Sequence, residues 1–182
     1  MSATALVAVA NGSEDIETVT IVDVLRRAGV EVTLASVHDQ REIVAARRTN
    51  LVADATVEEC SGKQFDLIAL PGGMPGAEHL RDSETLMDMV RAQRDAGRWY
   101  AAICAAPAVA LAHHGLLEGK TATGHPRFMD PLPDGGSEQR VVVDSNCITS
   151  RGPGTAIEFS LALIEALHGP EMRDQVAGPM VL

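Results

Sequence analysis

The stretch Trp99-Tyr100-Ala101-Ala102-Ile103-Cys104-Ala105-Ala106-Pro107 decides the reading of this chain. Trp99–Ile103 is an apolar run with the length of a buried strand, and Pro107 to about His113 has the character of a helix ended by Gly115. Cys104 falls at the turn between them. A side chain at a sharp strand-to-helix turn points off the edge of the sheet, and the following helix aims backbone N–H groups at it. Those groups favour a thiolate and can hold a developing oxyanion. The small neighbours Ala101, Ala102, Ala105 and Ala106 permit the tight turn of a nucleophile elbow. Buried cysteine is also a common inert core residue, so the turn on its own leaves both readings open.

Working outward, strand and helix patterns alternate along the chain. Thr4–Ala10 reads as the first strand, and Asp15–Ala28 as a helix with Ile16, Val19, Thr20, Val24 and Ala28 along one face. Strands are expected at Val30–Ala35, at Phe65–Leu70 before Pro71-Gly72-Gly73, and in short form at Glu42–Val44 and within Asn50–Val57. Ser83 caps a helix running to Ala96. Lys120–Thr123, Arg140–Val143 and Asn146–Thr149 read as strands, Thr155–Leu167 as an amphipathic helix, and the segment from Glu171 as a last short helix. Repeated strand–helix–strand units with short connections define an α/β fold, a mostly parallel sheet with helices on both faces. Ligands in such sheets sit at the carboxyl ends of the strands. Asn11–Asp15, Pro71–Gly76 and Cys104 should therefore meet on one rim. No linker divides residues 1–182, which read as one domain.

Composition bounds the rest. Aromatic residues make up 3% of the 182 residues and hydrophobic residues 46%, so the core must be built from Val, Ile, Leu and Ala, as buried parallel strands require. The formal net charge of −10 gives no general attraction for nucleic acid or anionic lipid. The basic pairs Arg26-Arg27 and Arg47-Arg48 read as solvated surface, with anion binding as the alternative. The opening apolar run is too short to span a bilayer and reads as a strand rather than an export signal. Three cysteines without a CxxC argue against a disulfide framework and for a reducing, cytoplasmic setting. There is no GxGxxG, P-loop or metal-ligand cluster, so no cofactor is expected.

Three further features can carry chemistry. Gly72 and Gly73 let backbone approach a ligand closely after a buried strand. Glu17 lies near the start of the first helix, where the helix dipole stabilises an anion, although most helical glutamates are solvated. His125, bracketed by Gly124 and Pro126, lies on a loop and titrates near neutral pH. His113 and His114 sit at a helix end and complement its dipole.

Four spaced segments together resemble the ThiJ/PfpI superfamily, most nearly its DJ-one and YajL-like branch. They are Gly12-Ser13-Glu14-Asp15-Ile16-Glu17, Leu70-Pro71-Gly72-Gly73, Ala101–Pro107 around Cys104, and Thr149-Ser150-Arg151-Gly152-Pro153-Gly154-Thr155 running on to Phe159. The resemblance implies a flavodoxin-like sandwich, a homodimer and a cofactor-independent activity on methylglyoxal-type dicarbonyls or early glycation adducts. It also implies roles. Cys104 is the reactive, oxidisable thiol, Glu17 a buried protonated acid on its sulfur, and His125 the nearby histidine. Gly72, Gly73 and Ala105 surround the oxyanion, with Gly73 and Ala105 as donors. Arg47, Arg27 from across the dimer, and Pro153 line the site. Ala105 stands where the protease-like branch carries histidine, which disfavours peptidase activity. Ala45 and Val52 stand where the animal branch carries further cysteines; Cys60 and Cys147 lie elsewhere and read as helix-end and core thiols. The competing expectation is a redox sensor or stress chaperone working by oxidation of Cys104.

Overall fold

A computed structural model describes residues 2–182. The elements follow in the order β1 (Thr4–Val9), α1 (Asp15–Arg27), β2 (Glu31–Ser36), β3 (Glu42–Val44), β4 (Asn50–Val52), β5 (Ala55–Thr56), α2 (Val57–Cys60), β6 (Leu67–Leu70), α3 (Gly76–Asp82), α4 (Glu84–Asp95), β7 (Trp99–Ile103), β8 (Val141–Asp144), β9 (Cys147–Ser150), α5 (Ala156–His168) and α6 (Pro170–Ala177). A π-helical run, Pro107–Ala112, follows β7.

Seven strands form one sheet in the order β5-β2-β1-β6-β7-β9-β8. Every pairing in it is parallel except β8 against β9. The central strands are covered on both faces: every residue of β6 is buried, as are Tyr100–Ile103 of β7 and Ala5–Val9 of β1. This is the mostly parallel sheet clothed in helices that the alternating pattern implied, and alanine in place of aromatics keeps its layers thin enough for helices to pack closely. Ser83 caps α4 as expected, its hydroxyl accepting the Leu86 N–H.

Two expectations need correction. First, α1 turns a different face inward: Ile16 and Val19 are 55% and 49% exposed, whereas Glu17, Thr18, Ile21, Val24 and Leu25 are buried. Residues 17, 21 and 24 form an equally regular helical stripe, but it begins with an acid, which counts against a core position unless a partner is known. Second, Lys120–Thr123 forms no strand. Two of its backbone N–H groups go to side chains instead, Thr121 to the Asp144 carboxylate and Thr123 to the Thr149 hydroxyl. The short strands expected within Asn50–Val57 are present as β4 and β5. β4 pairs antiparallel with β3 in a separate hairpin, β5 joins the main sheet beside β2, and Val57 opens α2 through a Thr56–Glu59 capping box.

Candidate active site

Parallel strands deliver their carboxyl ends to one rim, and the loops after β1, β6 and β7 meet there. Asp15 ties the β3–β4 hairpin to that rim, accepting the N–H groups of Arg47 at 2.7 Å and Thr49 at 3.2 Å. Desolvation pushes the Asp15 carboxyl up, but the bonds from Thr49 and Arg47 together outweigh it and hold the carboxyl below its ordinary range. On the other side, the Ser150 and Thr155 hydroxyls lie 2.6 Å apart and anchor the turn that carries Pro153.

Cys104 is 8% exposed and adopts φ +67°, a left-handed conformation that costs a non-glycine residue about 1 kcal/mol. The strain is held from three directions. Cys104 N–H donates to the Ser150 carbonyl, its own carbonyl accepts His125 N–H at 2.7 Å, and Gly72 packs against its Cβ. A Cβ on Gly72 would stand 2.6 Å from the Cys104 Cβ, so glycine is required by the elbow itself.

Glu17 is fully buried beneath this elbow. Its Oε2 accepts the Gly72 N–H at 2.8 Å, its Oε1 has no hydrogen-bond partner, and the Cys104 thiol lies beside the carboxyl. Burial pushes the Glu17 carboxyl up to about 7, against the opposing pull of the Gly72 N–H. Burial, followed by the charge of Glu17, pushes the Cys104 thiol up to about 12, while the N–H groups of Gly73 and Ala105 against the sulfur pull it down. The helix start does favour the anion, but desolvation and an acid neighbour outweigh it. A proton on Glu17 removes that repulsion.

The Glu17 shift has a consequence for stability. The folded-state value lies above the free value of 4.5, so folding favours the protonated carboxyl. That contribution is complete below 4.5 and is lost as pH rises through about 7. Relative to a Glu17→Gln variant, the wild type should lose roughly 3 kcal/mol between about pH 4 and pH 8 in urea denaturation. Parallel stability curves for the two proteins would show that Glu17 titrates normally.

Cys104 opens into a cleft of about 380 Å³ whose lining includes Arg47, Gly73, Ala105, His125 and Pro153, as expected, together with Glu14, Met74, Arg127 and Phe128. His125 Nδ1 accepts the Arg127 N–H at 3.2 Å, which leaves Nε2 to carry the ring proton. Burial, then the charges of Arg127 and Arg151, hold His125 below its ordinary value and so neutral.

Two expected positions stand apart from the cleft within one chain. Gly72 does not face the cleft as an oxyanion donor, because its N–H is committed to Glu17 and its carbonyl to Glu14 N–H. Arg27 lies on the last turn of α1, about 15 Å along the helix from Glu17, in an ion pair with Asp23. Within one chain it is not part of the site. Arg127 and Phe128 were missed. Their signal was adjacency to His125, since a loop that brings a histidine to a cleft brings its neighbours as well. Among the described residues no group of His, Cys, Asp and Glu is arranged to hold a metal ion, and no helix is long and apolar enough to cross a membrane. All three cysteines are free and buried, Cys60 at the end of α2 and Cys147 at the start of β9.

Comparison with known proteins follows the same lines. Residues 3–166 match the model of the DJ-1/PfpI family. Protein DJ-1 homolog A of Arabidopsis thaliana is 47% identical over 98% of this chain, which spans 46% of that longer protein. The Caenorhabditis elegans protein named glutathione-independent glyoxalase DJR-1.2 is 35% identical, over 93% of this chain and 91% of that protein. The solved structure of oxidized Toxoplasma gondii DJ-1 superposes with a TM-score of 0.97 at 45% identity, over 99% of this chain and 98% of that one.

Proposed function

This chain belongs to the DJ-1/PfpI family, and from that premise we propose that it is a cofactor-independent glyoxalase or deglycase, acting on methylglyoxal-type dicarbonyls or their early adducts through Cys104. The observation that carries the proposal is the pairing of a strained, cleft-facing thiol with a buried carboxyl poised near neutrality. A general acid–base group works best when its pKa lies near the working pH.

Cys104 Sγ adds to the aldehyde carbon as its proton passes to Glu17, and the carbonyl π electrons move to oxygen. The Gly73 and Ala105 N–H groups, which lie against the sulfur, are the donors proposed to hold that developing oxyanion. Neutral His125 and Glu17 then move the proton from the former aldehyde carbon to its neighbour. This oxidises the first carbon to a thioester and reduces the second to an alcohol. Water releases the hydroxy acid, which is lactate from methylglyoxal. A relative named as a glutathione-independent glyoxalase supports this reading. The expected result in intact-protein mass spectrometry is one methylglyoxal adduct at Cys104, absent from Cys104→Ser. An adduct distributed over arginines alone would overturn it.

A second reading has its own support. Two N–H donors and a protonatable carboxyl about one sulfur also suit a sulfinate, formed by successive two-electron oxidations with peroxide that release water. A solved relative is described as oxidized. His125 separates the readings, since proton transfer on carbon uses it and oxidation does not. His125→Ala should lower dicarbonyl turnover and leave peroxide sensitivity intact if turnover is the role.

The dimer and the cytoplasmic setting belong to the same proposal. Ile16 and Val19 on α1 and Ile157 on the adjacent α5 leave an outward apolar face that a second copy would cover. Arg27, on the same helix, would then reach the partner's site rather than its own. Three free thiols suit a reducing compartment.

A further inference from the structure

The chain carries 25 carboxylates and only 15 Lys and Arg, and 13 of those cations are arginines. Eight of the arginines lie within ion-pair distance of a carboxylate. Among the described residues, five do not: Arg47, Arg48, Arg98, Arg127 and Arg151. Two of these, Arg47 and Arg127, line the Cys104 cleft, and a third, Arg151, is close enough to bias His125. Three of the five unpaired arginines of this acidic protein thus stand at or near one cleft. Both lining arginines are positioned through their backbones, Arg47 on Asp15 and Arg127 on His125 Nδ1, which leaves their guanidinium groups free to meet a ligand. Glu14 is the one carboxylate of the lining and pairs with neither.

We propose that Arg47 and Arg127 form an anion subsite beside Cys104, so that the preferred substrate is an aldehyde bearing a carboxylate or phosphate group. The aldehyde part rests on the reading given above, whereas the subsite stands on charge and position. Guanidinium forks match both oxyanions, and they hold the charged end while sulfur bonds to the aldehyde carbon at the other. The charged group itself is unchanged in the reaction.

Alkylation of Cys104 tests the subsite independently of turnover. In alkylation the sulfur displaces iodide from either reagent, iodoacetate being anionic and iodoacetamide neutral. The ratio of the two rates at Cys104, followed by mass spectrometry, should fall about 3-fold in Arg127→Gln and in Arg47→Gln, and about 10-fold when both are changed. It should fall with added salt, hold in Arg127→Lys, and be unaffected by Arg91→Gln on α4. Melting temperatures confirm that these variants fold. Inorganic phosphate and acetate supply the other arm. Protection of Cys104 by phosphate at the lower concentration identifies a phosphate-bearing substrate, and protection by acetate at the lower concentration a carboxylate. A ratio that is unchanged by both Gln variants and by salt, or a Cys104 that neither reagent reaches, overturns the subsite. Absence of methylglyoxal turnover with the ratio behaving as stated overturns the aldehyde reading alone.

Discussion

Glu17→Gln should lower kcat/KM for methylglyoxal by about 100-fold or more while leaving the protein folded. Glutamine is nearly isosteric with the protonated acid. Its carbonyl can still accept the Gly72 N–H, and its amide can still donate toward sulfur, so the buried hydrogen bond at 2.8 Å survives. What it cannot do is accept a proton from Cys104 or return one. The neutral amide also removes the charge that, after burial, holds the thiol up at about 12. If that repulsion were the main obstacle, the variant would be as fast as the wild type or faster. The two outcomes fall on opposite sides of the wild-type value, which makes steady-state kinetics sufficient to choose between proton transfer and simple electrostatic restraint.

Gly73→Ala is expected to be the most destabilising single methyl group in the site. Gly73 has φ +86°, and a Cβ there would lie 2.5 Å from both Glu14 N and Gly12 O, which are backbone atoms on the loop after β1. Left-handed strain and overpacking each contribute about 1–3 kcal/mol, so a loss of about 4 kcal/mol is expected, or roughly 10 °C in melting temperature for a chain of this size. Gly97→Ala supplies the control. Gly97 has φ +70° with nothing within 4 Å of its Cβ position, so it carries the strain without the clash and should cost about 1 kcal/mol. Equal losses at the two positions would mean that the loops after β1 and β6 are not packed as described.

Gly72 and Gly73 also show what could be read from the sequence. The doublet after a buried strand pointed to close backbone approach, and the approach is there. It is made chiefly to the Cys104 elbow and to the Gly12–Glu14 loop, partners that come from elsewhere in the chain and leave no trace near Gly72. Cys104 itself was legible, because a buried strand, small residues and a helix start are all local. Glu17 was not legible locally: an acid on a helix reads as solvated until its partner, the N–H of Gly72 across the sheet edge, is known. The resemblance to a known family supplied what periodicity could not. The same blindness put the wrong face of α1 inward. Lys120–Thr123 has the composition of a strand, yet the Asp144 and Thr149 side chains claim N–H groups that a ladder would have used. Arg127 and Phe128 depended on how the His125 loop folds over the cleft, which nothing in their own sequence states.

The central claim is that Cys104 performs covalent chemistry on dicarbonyls rather than merely sitting, strained, in a cleft. Purified protein should therefore be assayed with methylglyoxal in an amine-free buffer, with lactate detected directly rather than by loss of aldehyde. The wild type should form lactate catalytically, and Cys104→Ser should lose at least about 1,000-fold of that rate, because a hydroxyl is a far weaker nucleophile than a thiolate. Lactate formation by Cys104→Ser at the wild-type rate would contradict the account.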